Sequence, residues 1–161
     1  MKRSATKQKI RHAEKRLASE VAGCLARWRG ADEDWREGTL ENLGLWLTHL
    51  LSFHVQLDDS WPRDRWLDGI EDVSISIEGR DIIRIGGVLW WGLLSNAGGA
   101  QVAELIEGTI CLTGIPRRPL SYALSVGEGP ERRYHSGSGL TTACTRRPFT
   151  LPLMFVEEGR G

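Results

Sequence analysis

Asp72-Val-Ser-Ile-Ser-Ile-Glu-Gly-Arg-Asp-Ile-Ile-Arg-Ile-Gly-Gly-Val-Leu-Trp-Trp-Gly92 is the stretch on which the fold turns. Val73, Ile75 and Ile77 alternate with Ser74, Ser76 and Glu78, the period of a strand with one buried face. Glu78-Gly79-Arg80-Asp81 supplies turn chemistry, with Gly79 able to take a positive φ. The β-rich run from Ile82 to Trp91 follows, so the stretch predicts a β-hairpin, the first element of an antiparallel sheet.

Downstream, the pattern stays β-like. Residues 102–113 predict a third strand covered on both faces, with Gly108 as a possible bulge. Leu120, Tyr122, Leu124 and Val126 alternate with small residues and predict a fourth. Short strands are expected near Arg132–His135, Thr141–Thr145 and Thr150–Val156, with Pro148 and Pro152 confining the last two to a sheet edge.

Upstream, the period changes from two to about three and a half. Ile10, Ala13, Leu17, Val21, Cys24, Leu25 and Trp28 form one apolar stripe, predicting a helix over about 5–29 that Gly30 ends. The rest of that helix is basic, with nine Lys and Arg against Glu14 and Glu20. Residues 31–38 read as an acidic connector folding back on this basic surface. Thr39 then reads as the N-cap of a second, largely apolar helix to about Leu57. Ser60 and Pro62 suggest a short third helix over 61–68, ended by Gly69.

Helices first and strands afterwards predict the α+β class. Helices at about 5–29, 39–57 and 61–68 would pack on an antiparallel sheet of five or six strands within 72–156. The 161 residues read as a single domain, 1–161, with the first and last few residues disordered. A chain of this length buries roughly 70% of its unfolded surface, so its core needs neither disulfide nor metal.

Charge and cysteine usage narrow the function classes. Lys plus Arg and Asp plus Glu each number 21, and this balance argues against a chain that coats nucleic acid. Cys24, Cys111 and Cys144 are odd in number and widely spaced, without a ligand pattern, and read as free thiols of a cytoplasmic protein. The basic N-terminus lacks the apolar run of a secretory signal, and no segment is apolar enough to span a membrane.

No catalytic constellation emerges. His49 and His54 lie five apart on a helix and cannot share a metal; His12 and His135 have no partner spacing either. No cofactor fingerprint follows Gly86-Gly87 or Gly98-Gly99. Cys111 or Cys144 with His135 is the nucleophile–base pairing the residue types allow, but no third residue orients it. The expectation is therefore no metal, no cofactor and a non-enzymatic chain.

Seven tryptophans and segregated charge point instead to recognition. The leading expectation is a protein-binding module of the type of the small α+β immunity or inhibitor proteins that neutralise a bacterial toxin. Its surface would combine Trp61 or Trp66, one of them turned inward, with Asp58, Asp59, Asp64 and Asp68, and would suit a basic partner. One alternative is an enzyme or ligand-binding domain with a pocket between helix 39–57 and the sheet, lined by His54, Trp90 and Tyr122. Another is anion or nucleic-acid recognition. It would use the basic N-terminal helix or the pairs Arg117-Arg118, Arg132-Arg133 and Arg146-Arg147, gathered on one sheet edge.

Overall fold

The computed structural model describes residues 2–57, 61, 63–94, 101–138 and 141–145. Two helices come first, α1 (Lys2–Arg27) and α2 (Glu33–Leu57). Six strands follow: β1 (Arg65–Ile77), β2 (Ile82–Leu93), β3 (Gln101–Leu112), β4 (Leu120–Val126), β5 (Arg133–Ser138) and β6 (Thr141–Thr145). The strands form one antiparallel meander in chain order, β1-β2-β3-β4-β5-β6. The α+β class holds. Residues 150–156, expected as a last strand, lie outside the described residues.

One face of the sheet carries the core. Ile83, Ile110 and Tyr122 stand in register across β2, β3 and β4, and all are buried. Ile85, Leu89, Trp91, Ile106, Leu120, Leu124 and Val126 extend that layer. Against it pack Ile10, Ala13, Leu17, Val21 and Cys24 of α1 and Leu43, Leu47, Leu50 and Leu51 of α2. The expected stripe on the first helix is thus the buried one.

Several of its basic residues bridge to aromatic rings of α2. Arg16 lies 5.1 Å from the Trp46 ring centroid, Arg27 4.7 Å from Trp35, and Lys9 5.8 Å from Phe53.

The structure corrects several boundaries. Residues 33–38 are not a connector: they are the first turns of α2. Asp32, not Thr39, caps that helix, its Oδ1 accepting the Trp35 N–H at 2.8 Å. Glu33 and Asp34 then sit where the helix dipole favours anions, which is why the acidic run is helical. Thr39 is buried inside the helix.

The expected helix over 61–68 is likewise replaced from Arg65 onward by strand β1. Leu67 and Gly69 are part-buried while Trp66 and Asp68 are exposed, a period of two rather than three and a half. Gly69 marks a register shift between Leu67 and Gly69, not a helix end; a second shift lies between Glu71 and Ser74, where Asp72 takes φ 54°.

In the hairpin turn, Glu78 and Gly79 N–H groups both donate to Ile82 O. Gly79 is not among the positive-φ residues. Register runs unbroken past Gly108 on both sides, so no bulge lies there. A Cβ at Gly108 would overlap the Ala123 carbonyl oxygen, so glycine permits the close approach of β4 to β3.

Candidate functional site

The register shifts of β1 leave Trp66 directly opposite Gly92 of β2. A Cβ at Gly92 would overlap the Trp66 indole, so the ring lies across the glycine on the outer face of the sheet. Trp66 remains 48% exposed. Trp90, two residues from Gly92, shares this face and is half-buried. In the next row Val88 faces Leu105, which is 50% exposed.

These apolar groups have an acidic border. Asp64, Asp68, Glu71, Asp72 and Glu107 are exposed around them. Asp68 accepts a hydrogen bond from Gln101 Nε2 at 2.5 Å, tying β1 to β3. A hydrogen bond from Arg65 Nε, 3.1 Å away, holds the Asp64 carboxyl below its usual range. A shallow depression of about 310 Å³ runs between Asp68, Glu71, Trp90 and Gln101.

Trp61 is placed oppositely. It is 2% exposed, 6.1 Å from the Trp91 ring, on the core side of the same end of the sheet. A polar knot holds that corner. Glu104 Oε1 accepts from Trp91 Nε1 at 2.7 Å and from Arg133 Nη2 at 2.6 Å, with Arg65 Nη1 at 3.9 Å. The Arg133 guanidinium lies 5.8 Å from the Trp61 ring centroid, and that of Arg65 5.8 Å from Trp91. Glu104 thus anchors one tryptophan side chain and two arginines from three strands, fixing the corner that carries Trp66.

Of the residues singled out from sequence, Trp66, Asp64 and Asp68 therefore share the outer face, whereas Trp61 is in the core. Asp58 and Asp59 lie outside the described residues, as do Arg146 and Arg147. Arg117 and Arg118 are exposed in the β3–β4 connection. Arg132 and Arg133 sit where β4 passes into β5, at the other end of β4, and Arg133 is turned inward. Val88, Leu105 and Glu107 were missed. Their signal was alternation within β2 and β3, which identifies residues sharing a face but not which face stays open.

The residues considered for a pocket do not converge. His54 Nε2 and Tyr122 Oη are 2.8 Å apart, and both residues are 1% exposed, enclosed between α2 and β4. Trp90 is on the opposite face of the sheet. Cys111 is on the outer face too, packed with Ile82 and Ala123. His135 pairs along the backbone with Leu124 on one side and Cys144 on the other.

Among the described residues no helix is long and apolar enough to cross a membrane. Comparison with protein-family models, curated proteins and solved structures gives no match.

Proposed function

We propose that the chain is a non-enzymatic protein-binding module that docks a basic protein on the outer face of β1–β3. The observation that carries this reading is Trp66, half-exposed, seated on Gly92 and bordered by carboxylates. An indole held by its own sheet loses little freedom on binding, so its burial is retained as affinity. Tryptophan anchors of this kind are worth about 2 kcal/mol or more each. The carboxylates of Asp64, Asp68, Glu71 and Glu107 would speed encounter with a basic surface. Nucleases and other toxins directed at nucleic acid are basic, and a cognate inhibitor of the immunity type fits this chemistry.

The test begins with capture from the native host and identification of the bound protein by mass spectrometry. Binding kinetics are then measured for wild type, Trp66→Ala and the double variant Asp64→Asn/Asp68→Asn. Trp66→Ala is expected to raise the dissociation rate about thirtyfold, the equivalent of about 2 kcal/mol. The double variant is expected to lower the association rate and flatten its salt dependence. Wild-type kinetics in both variants would place the interface elsewhere and defeat the reading.

A further inference from the structure

The meander has an opening in its plane. Strand β4 ends at Val126, opposite Ile106, and the last bond between β3 and β4 runs from Gly127 N–H to Leu105 O at 2.8 Å. Strand β3 continues to Gln101, paired with β2 alone. Backbone groups of a strand alternate sides, and those of Leu105 face β4. Those of Ala103 and Gln101 therefore face the same way, beyond the end of β4. Among the described residues no strand pairs with them there.

A cleft of about 360 Å³ occupies this place. It touches Val102, Ala103, Glu104 and Leu105 in succession, together with Gly127 and Glu128, and reaches over the outer face to Val88 of β2. Successive residues of a strand point to opposite faces, so a cleft touching four in a row lies along the strand's edge.

The other long edge is treated differently. Strand β1 pairs only with β2, yet two register shifts and a left-handed Asp72 interrupt it, and Asp68, Glu71 and Asp72 line it. Irregularity and charge of this kind prevent a foreign strand from adding. Residues 101–105 of β3 have no such irregularity: their register with β2 is unbroken, Leu105 is half-exposed, and the one charge among them, Glu104, is turned to the core side and paired with Arg133.

We infer that the projecting edge of β3 is a strand-addition site that takes an extended basic peptide segment of the partner, continuing the line of β4. The inference rests on the reading of the chain as a module for a basic partner. It adds that backbone pairing, not side-chain contact alone, provides the grip. Exposed Glu128 lines the cleft, and it selects lysine- or arginine-bearing strands.

The test uses the full chain and a ten-residue peptide of alternating lysine and valine, with a control methylated on alternate backbone nitrogens. Amide hydrogen exchange is read residue by residue. Saturating peptide should slow exchange at Ala103 and Gln101 at least tenfold, and the methylated control should not. Ala103→Pro removes an N–H that faces the open edge, so it should leave the melting temperature near that of wild type and abolish this protection.

Four results overturn the inference: no peptide binding at millimolar concentration, Ala103 and Gln101 amides already as protected as those paired with β2, an Ala103→Pro chain that does not fold, or peptide binding unaffected by that substitution. Partner binding lost in Trp66→Ala but kept in Ala103→Pro would leave the outer-face reading standing and remove strand addition alone.

Discussion

Glu14 is 1% exposed on the core side of α1, yet its nearest basic influence is Arg11 on its own helix. Burial outweighs that arginine and raises the carboxyl from an ordinary 4.5 to about 8. Its Oε2 has no hydrogen-bond partner among the described residues. Tyr122, facing α2 through His54, is pushed well above its usual range by burial and then by the Glu14 charge. Between pH 4.5 and about 8 the folded chain holds a proton on Glu14 that the unfolded chain releases. Stability should therefore fall as pH rises through this window and level off above it. The fall attributable to this one group is on the order of 5 kcal/mol. Glu14→Gln keeps the shape without the charge. Urea midpoints at pH 5, 7 and 8.5 should decline less in Glu14→Gln than in wild type, with the variant the more stable at 8.5. Parallel curves would show that Glu14 does not titrate in this range. A related effect acts on Cys24, whose thiol burial pushes up to about 11, so it stays protonated and unreactive in the fold.

Elements differ in how far their residues announce them. The hairpin of β1 and β2 was legible because alternation over Val73–Ile77 is a local signal, and α1 because its stripe is continuous. The start of α2 was not, since Gly38 and four acidic residues imitate a loop; what decides the matter is the Asp32 cap and the dipole behind it. The start of β1 is obscured for a similar reason. A Ser–Trp–Pro opening imitates a helix start, and pairing with β2 overrides it. Gly108 reads locally as a bulge, whereas its purpose, the close approach of β4, is a long-range fact. Gly108→Ala now has a definite expectation. The added methyl meets backbone, not a side chain that could rotate away, so β4 must shift. Overpacking of this kind costs about 1–3 kcal/mol. A chemical-denaturation midpoint equal to that of wild type would show that β3 and β4 part easily at this point.

At the scale of the whole molecule, the helical layer decides which sheet face is available. Two helices cover one face, so Trp61 and Trp91 are sealed in while Trp66 and Leu105 stay open on the other. That one of Trp61 and Trp66 turns inward could be anticipated. Why it is Trp61 could not, because the Glu104 knot that holds the corner joins residues from β1, β2, β3 and β5. Arg117-Arg118 and Arg132-Arg133, similar in sequence, separate for the same topological reason: an antiparallel strand puts its two flanking loops at opposite ends. The layer argument also predicts how the molecule comes apart. Leu17 is fully buried between α2 and the sheet, and α1 contributes six buried residues to the common core. A truncation of such a leucine costs about 2–5 kcal/mol. A carboxylate at the same place costs more, since it has no partner there and must be desolvated. Leu17→Asp should therefore lower the melting temperature by about 10 °C or more, at roughly 2–4 °C per kcal/mol for a chain of this size. Far- and near-ultraviolet circular dichroism should fall together, because helix and sheet share one core. Loss of helical signal alone, with the tryptophan environment intact to the wild-type temperature, would show that the sheet stands without α1 and that the two layers unfold separately.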